Sequence, residues 1–377
     1  MVYLSANNTA KMNKTKLARL GLLAGGILIL IGFLTIDNEN KIIPATLLIA
    51  GLSVCAISFQ GFQLLNGFSY TTWILAAVTI SMFYPEWFQQ IGTFKFKSLI
   101  LPLLQLIMFG VGSTMGLKDF ESVIKTPKPV FIGVVCQFTI MPLVGYTIAK
   151  TFNFEPEIAA GIILVGSVPS GLASNVMSYI AKANVALSVT LTAIATLMAP
   201  LITPILMQQL AGEMVPVSLV AMMIDITKIV ILPICAGLIF NKFLGGKFPW
   251  LDRAMPRISM VSIAAIITVI TAAGRDSLLE VGITLVFACL IHNLLGYLLG
   301  YYSCRLLRMD EKSCRTIALE VGLQNGGLAS GLALQMGRVA TVGLAPAIFG
   351  PLMNITGSSL ASWWHNRPVK EDQATNN

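Results

Sequence analysis

An apolar segment at residues 157–182 is interrupted by small and polar residues, Gly166-Ser167-Val168-Pro169-Ser170-Gly171-Leu172-Ala173-Ser174-Asn175. A second apolar segment, at residues 313–336, contains the stretch Glu320-Val321-Gly322-Leu323-Gln324-Asn325-Gly326-Gly327. Proline removes a backbone donor and glycine weakens a helix, so each segment is predicted to unwind near mid-membrane. Unwinding frees carbonyl oxygens that can coordinate a cation, and it leaves helix N-termini that attract an anion.

The two interruptions are related by an internal repeat. Gly171-Leu172-Ala173-Ser174 recurs as Gly327-Leu328-Ala329-Ser330, an offset of 156 residues, and the same offset aligns Gln137 with Asn293. The second copy lies five hydrophobic segments after the first, and an odd number of spans per repeat forces the two halves into opposite orientations. The pattern therefore predicts the inverted repeat that is typical of secondary transporters.

The composition indicates a chain that spans a membrane many times. Of its 377 residues, 55% are hydrophobic and only 11% are charged, with a mean hydropathy of +0.79. Soluble domains carry roughly 25% charged residues, so a soluble enzyme is excluded. At about 20 residues per spanning helix, twelve spans are predicted, at 17–36, 43–60, 68–85, 98–117, 129–150, 157–182, 184–207, 216–240, 255–273, 277–303, 313–336 and 340–363.

The basic residues predict the orientation of these spans. Eighteen Lys and Arg residues fall on the side of the N-terminus and six on the opposite side, while Lys228 lies within a span. Lys and Arg concentrate in cytoplasmic loops, so both termini are predicted to be cytoplasmic. The net charge of +8 is explained in the same way, without a nucleic-acid partner. The chain is expected in the inner or plasma membrane.

The repeat also predicts the domain organisation. An N-terminal cytoplasmic segment and an extra transmembrane hairpin occupy residues 1–62. A first five-helix repeat follows at 63–207, a second and inverted five-helix repeat at 208–365, and a cytoplasmic tail at 366–377.

Glu320 carries the strongest functional signal. A carboxylate at membrane depth costs roughly 2.5 kcal/mol or more and normally has a partner. A bound cation is the natural partner, because Glu320, Gln324, Ser174, Asn175 and freed carbonyl groups supply the oxygen atoms that a hard ion prefers. The alternative is a carboxylate at a helix end that pairs with Arg315.

Three further polar residues fall within apolar runs. Ser188 and Thr192 are four residues apart, so they share one helix face and could join the cation site. Alternatively, each hydroxyl could bond to the backbone of its own helix. The Gln137 side chain could likewise be a tie between two helices.

The motifs resemble those of the bile acid:sodium symporter family. The resemblance rests on Ser167–Asn175, on Asn184-Val185-Ala186-Leu187-Ser188-Val189, on Glu320–Asn325, and on the segment from Met108 through Met115-Gly116-Leu117 to Asp119-Phe120. It implies an all-α polytopic membrane fold with ten helices in two inverted repeats. These helices would form a panel domain and a core domain with two crossing discontinuous helices, and the first two spans would be an addition.

The resemblance also implies two sodium ions and a site for an organic anion. The first sodium site would comprise Ser174, Asn175, Ser188, Thr192 and Glu320. The second would comprise Gln137, Glu320, Gln324 and the backbone carbonyls of Val321 and Leu323. The substrate would lie near Gly171, Leu172, Asn325 and Asn354, although Leu172 departs from the small polar residue of some relatives.

The function expected from these features is sodium-coupled symport by alternating access. About two sodium ions would enter with one organic anion, either bile acid-like or a small acid such as pantoate, ketopantoate or pyruvate. A sodium-independent anion exporter is the alternative among transporters. An integral-membrane enzyme and a channel are less favoured, because the sequence contains a solitary mid-span glutamate and two distant histidines, His292 and His365.

Overall fold

The computed structural model describes residues 2–36, 41–62, 66–114, 116, 127–244, 247, 249–367 and 369. Seven helices among them are long and apolar enough to cross a membrane, and shorter apolar helices lie at Phe68–Phe83, Pro156–Ser167 and Arg257–Ala273. The only sheet in these ranges is a short hairpin of β1 (Gln90–Ile91) and β2 (Phe94–Lys95). The prediction of an all-α polytopic membrane protein is confirmed.

The helices follow one another with short connections. They are α1 (Val2–Leu34), α2 (Ile42–Phe59), α3 (Asn66–Phe83), α4 (Ile100–Thr114), α5 (Pro127–Thr151), α6 (Pro156–Ser167), α7 (Ala173–Ile180), α8 (Val185–Ala211), α9 (Leu219–Ile226), α10 (Leu232–Leu244), α11 (Pro249–Ala273), α12 (Arg275–Leu306), α13 (Glu311–Gly322), α14 (Gly326–Gln335) and α15 (Leu344–His365).

Most of these helices belong to one of two packed groups. Helices α3, α4, α10 and α11 form one group, and α9 joins it through the π-helical turn Thr227–Ile231 while also contacting α8. Helices α5, α6, α7, α8, α12, α13 and α15 form a second group. Helix α14 contacts members of both groups, including α4 and α15. The hairpin of α1 and α2 packs through α2 onto α3. We call the first the panel group and the second the core group, while the division into the expected panel and core domains stays a prediction.

Some predicted spans differ from the helices at their ends. The first span was expected at 17–36, whereas α1 begins at Val2, because residues 2–16 contain no glycine or proline to stop a helix. The span at 216–240 contains a π-helical turn, Thr227–Ile231, and continues as α10 to Leu244.

The two broken spans are interrupted over shorter stretches than expected. Helix α6 ends at Ser167 and α7 begins at Ala173, so Ser174 is already helical. Val168 adopts an extended conformation (φ −84°, ψ 160°), which a following proline favours. In the second span, α13 continues through Glu320 to Gly322, and the break is confined to residues 323–325.

The helices of the two halves coincide at the offset of 156 residues. Shifted by 156, α5, α6, α7 and α8 fall at 283–307, 312–323, 329–336 and 341–367, close to the bounds of α12, α13, α14 and α15. The inverted orientation and the domain boundaries stay predictions. Residues 63–65, most of the tail at 366–377, and Met115, Leu117, Asp119 and Phe120 of the quoted motif lie outside the described residues.

Candidate functional site

The two helix breaks meet and pair with each other. Ser170 and Gln324 form an isolated antiparallel β-bridge. On either side of it, the Gly171 N–H donates to the Leu323 carbonyl (3.0 Å) and the Asn325 N–H donates to the Pro169 carbonyl (2.9 Å). Because no water is available within a bilayer, each break supplies hydrogen-bond partners that the other lost on unwinding.

Gly171 allows this close approach of the two backbones. A Cβ atom at this position would lie 3.0 Å from the Gln324 carbonyl oxygen, which is tighter than nearly all observed contacts of that kind. The repeated glycine of the sequence motif therefore marks the crossing point.

The Glu320 carboxylate lies next to the crossing and is surrounded by hydroxyl groups. Its side chain is only 2% exposed. Ser188 Oγ lies 2.5 Å from Oε1, Ser170 Oγ lies 2.5 Å from Oε2, and Thr192 Oγ1 lies 3.2 and 3.0 Å from the two oxygens. The alternative pairing with Arg315 is wrong, because that guanidinium binds Glu311 (Nε to Oε1, 2.9 Å).

Two residues of α7 complete this first cluster. Asn175 Oδ1 lies 2.8 Å from Ser188 Oγ and 3.4 Å from Thr192 Oγ1. Ser174 Oγ lies 3.3 Å from Thr192 Oγ1 and donates to the Gly171 carbonyl (2.8 Å). All five residues expected at the first sodium site are thus brought together from α7, α8 and α13.

The hydroxyls of Ser188 and Thr192 bond across helices, as the cation-site interpretation requires. Thr196, one turn further along α8, behaves differently and donates to the Thr192 carbonyl (2.6 Å) within its own helix. The cluster consists of carboxylate, amide and hydroxyl oxygens, which are the ligand atoms that hard cations prefer.

A second set of polar atoms lies around Gln324, one of the two bridge residues. Gln137 Nε2 donates to the Val168 carbonyl (3.0 Å) and to Gln324 Oε1 (2.9 Å). Gln324 Nε2 in turn donates to the Val321 carbonyl (2.5 Å). Gln137 is therefore a tie between α5 and both breaks, and Leu323 contributes its carbonyl to the bridge.

Gln137 also retains an unused acceptor. Within the part of the chain that the structure describes, its Oε1 atom is buried and has no hydrogen-bond partner. A buried amide oxygen without a donor is costly, and a cation would satisfy it. Gln137, Val321, Leu323 and Gln324 are brought together, and Ser170 connects them to Glu320.

The expected substrate residues are more dispersed. Gly171 is buried in the crossing, and Leu172, at the start of α7, is 38% exposed. Asn325 is half-buried and accepts a hydrogen bond from the Leu328 N–H (3.0 Å), which caps α14. Asn354 is half-buried on α15, where its carbonyl accepts from Ser358 (2.6 Å). The described hydrogen bonds do not join these residues into one set.

Asn293, which the repeat aligns with Gln137, also reaches a helix break. Asn293 Nδ2 donates to the Gly322 carbonyl (2.8 Å), and its Oδ1 accepts from Thr356 (2.5 Å). Ser170 was not among the expected site residues although it contacts Glu320 directly. Its position beside Pro169 in the first break was the available signal.

The chain is similar in sequence to known sodium-dependent transporters. Residues 101–281 match the model of the Sodium Bile acid symporter family. The chain is 40% identical over 309 residues to YocS, an uncharacterized sodium-dependent transporter of Bacillus subtilis (strain 168), covering 82% of this chain and 94% of that protein. It is 33% identical over 269 residues to BASS1 of Arabidopsis thaliana, a probable chloroplastic sodium/metabolite cotransporter, covering 71% and 67% of the two chains.

A relative from rice is also named as a sodium/metabolite cotransporter. The probable chloroplastic sodium/metabolite cotransporter BASS2 of Oryza sativa subsp. japonica is 30% identical over 302 residues, covering 79% of this chain and 70% of that protein. The chain belongs to the sodium bile acid symporter family, whose members are sodium-dependent transporters.

Proposed function

We propose that this protein is a secondary active symporter that imports an organic anion together with about two sodium ions. The observation that carries the proposal is the convergence of four oxygen-bearing side chains from α7 and α8 around Glu320 of α13. A buried carboxylate without a basic partner is costly in a membrane. A sodium ion supplies the missing positive charge, and binding then depends on both helix breaks.

The first sodium ion binds Ser174, Asn175, Ser188, Thr192 and Glu320. The support is geometric, since these oxygen atoms lie between 2.5 and 3.4 Å from one another in the pairs described above. Ser170 adds a further hydroxyl at 2.5 Å from Glu320.

The second sodium ion binds Gln137, Gln324, Glu320 and the carbonyls of Val321 and Leu323. The unpartnered Oε1 atom of Gln137 supports this assignment. The Gln324 amide N–H now points to the Val321 carbonyl, so sodium binding there requires the amide to turn and present its oxygen.

The anion binds beside the crossing, near Gly171, Leu172, Asn325 and Asn354. The N-termini of α7 and α14 both begin at the breaks, and helix N-termini favour negative charge. The exposed Leu172 offers an apolar contact, which suits a bile acid-like anion or a small hydroxy or keto acid. The plant relatives are named for sodium/metabolite cotransport, which is consistent with this class.

The transport step follows from these sites. The protein resides in the cell membrane with both termini cytoplasmic, and the panel and core groups move against each other to expose the crossing alternately. Two sodium ions that enter with one monoanion carry one net positive charge inward. A membrane potential contributes about 2.3 kcal/mol per charge per 100 mV, so uptake is electrogenic.

The deciding experiment compares Glu320→Gln with wild-type protein in two assays. The first is thermal stabilisation of the detergent-purified protein by sodium chloride against choline chloride. The second is uptake of labelled organic anions into proteoliposomes with and without an inward sodium gradient. We expect sodium to stabilise the wild type and to drive uptake, and the substitution to abolish both effects because the carboxylate is lost.

The matched control is Glu157→Gln. Glu157, at the start of α6, pairs with Arg338 and accepts a hydrogen bond from Thr341, away from the crossing. It should keep the sodium response. Identical melting of the wild type in sodium and choline, up to a few hundred millimolar, would contradict sodium coupling and favour a sodium-independent exporter.

A further inference from the structure

Thr316 lies one helical turn before Glu320 and contacts the beginning of the helix that bears Ser188. Its side chain is fully buried on α13. The Asn184 N–H donates to Thr316 Oγ1 (2.9 Å), and this hydroxyl lies 3.1 Å from the Asn184 carbonyl and 3.0 Å from the Lys312 carbonyl. One side chain of α13 thus binds both backbone groups of Asn184, the residue that precedes α8.

This contact repeats the spacing of the candidate sodium site. Thr316 and Glu320 are four residues apart on α13, and Asn184 and Ser188 are four residues apart along α8. The Ser188 N–H donates to the Asn184 carbonyl (3.1 Å), so the second pair also spans one helical turn. The contacts between Thr316 and Asn184 and between Glu320 and Ser188 are therefore successive rungs between two helices that run in the same direction.

The contact between Thr316 and Asn184 supplies a hydrogen-bond acceptor that the backbone N–H of Asn184 requires. The Asn184 side chain is already engaged, since its Oδ1 accepts from the Leu187 N–H (3.1 Å) and caps α8. The Asn184 N–H therefore needs an acceptor from outside its helix, and Thr316 supplies it. A threonine that only bonded to its own helix would be satisfied by the Lys312 carbonyl alone.

We propose that Thr316 is a positioning residue that sets the register of α13 against α8 and thereby the size of the first sodium site. This inference rests on the proposed function. Because selectivity among cations depends on the size of the oxygen cavity, a shift of this register changes both the affinity for sodium and the preference for sodium over lithium.

The test uses Thr316→Val, which keeps the shape of the side chain but removes its hydroxyl. Thermal stabilisation of the detergent-purified full chain is titrated with sodium chloride and with lithium chloride. We expect the half-saturating sodium concentration to rise about tenfold, because the substitution removes one well-placed hydrogen bond. We also expect the ratio of the lithium and sodium values to change about threefold or more, because the cavity changes in size.

Two further variants separate positioning from a general packing effect. Thr316→Ser restores the hydroxyl and should return both values to within about threefold of wild type. Thr268→Val is the matched control, because Thr268 is a buried threonine of α11 that donates to the Ala264 carbonyl (2.8 Å) of its own helix. It should keep wild-type sodium and lithium values. If the valine variant does not purify, Thr316→Ala replaces it with the same expectations.

The outcomes distinguish the inference from the proposed function. If Thr316→Val shows wild-type sodium and lithium values while Glu320→Gln loses the sodium response, the positioning role is wrong and the proposed function stands. The positioning role would also be overturned if Thr316→Val weakened the binding of sodium and lithium equally and Thr316→Ser did not restore it. If the wild type itself shows no sodium response, the proposed function fails and this inference fails with it.

Discussion

At the scale of single residues, the Ser188 hydroxyl lies within reach of more acceptor atoms than it has protons to donate. Ser188 Oγ lies 2.5 Å from Glu320 Oε1 and 2.8 Å from Asn175 Oδ1, and both of those atoms accept hydrogen bonds. A serine hydroxyl carries a single proton, so it can donate to only one of them at a time. A sodium ion has no such limit, because it attracts all three oxygens together.

Ser188 provides the sharpest test at this scale. In Ser188→Ala the ion loses one ligand, and Glu320 and Asn175 lose the hydroxyl between them. We expect the sodium concentration for half-maximal thermal stabilisation to rise about tenfold, corresponding to roughly 1.4 kcal/mol. Titration of the melting temperature with sodium in a choline background measures this value.

The matched control for this test is Ser330→Ala. Ser330 stands at the repeat position of Ser174, is 2% exposed, and donates to the Gly326 carbonyl (2.8 Å) of its own helix. Its loss should leave the sodium titration unchanged. An unchanged titration in Ser188→Ala as well would remove Ser188 from the site.

At the scale of elements, the crossing of the two breaks is the feature on which both candidate ion sites depend. Helix α7 carries Asn175 and α13 carries Glu320, and each joins its break directly. The bridge at Ser170 and Gln324 fixes the two breaks against each other. A disturbance of this bridge should therefore weaken ion binding even where no ligand is altered.

Gly171→Ala disturbs the bridge by adding one methyl group. The new Cβ would lie 3.0 Å from the Gln324 carbonyl oxygen and 3.4 Å from its carbon, so the two backbones must separate. Overpacking of this kind costs about 1–3 kcal/mol. We expect a lower melting temperature in choline and, in addition, a weaker sodium response.

Gly326→Ala is the control for that substitution. A Cβ at Gly326, the first residue of α14, would meet the Pro346 carbonyl oxygen at an ordinary 3.5 Å. This variant should melt within a few degrees of wild type and respond normally to sodium, since nothing has to shift. Equal effects of the two substitutions would show that the crossing does not constrain the backbone.

The sequence predicted these elements better than it predicted their ends. Proline and glycine located both breaks, and the repeat aligned Gln137 with Asn293, because backbone chemistry and spacing can be read locally. The helical positions of Ser174 and Glu320 could not be placed in the same way, since a glycine is tolerated within a helix that tertiary contacts support. The contact of Ser170 with Glu320 joins residues 150 positions apart, so only the folded chain reveals it.

At the scale of the whole molecule, the two repeat halves occupy unequal environments. Leu328 and Leu332 of α14 are 0% and 1% exposed, and α14 packs on α4 of the panel group. Their counterparts at the offset of 156 residues are Leu172 and Val176, which are 38% and 56% exposed. The panel therefore covers the α14 face and leaves the equivalent α7 face uncovered.

Alternating access predicts that these two faces exchange environments. When the core group moves against the panel, the α7 face should become covered as the α14 face becomes accessible. We expect a membrane-impermeant maleimide to label Val176→Cys rapidly and Leu332→Cys slowly under conditions that favour the conformation with the α14 face covered and the α7 face exposed. Changes in sodium concentration should then move the two labelling rates in opposite directions, because one motion governs both faces.

The labelling is measured on detergent-purified protein, where reagent reaches both sides, in a Cys235→Ser background. Cys235 is the exposed one of the six free cysteines, and the other five are buried. Trp87→Cys, at an exposed position of the turn after α3, controls for reagent activity and should label at a constant rate. Rates at Val176→Cys and Leu332→Cys that rise and fall together would contradict an exchange, since a general loosening of the protein exposes both faces at once. Opposite changes in the two rates would instead require a two-state motion of the core group against the panel group. Such a motion covers one face while it uncovers the repeat counterpart, which local unfolding does not do.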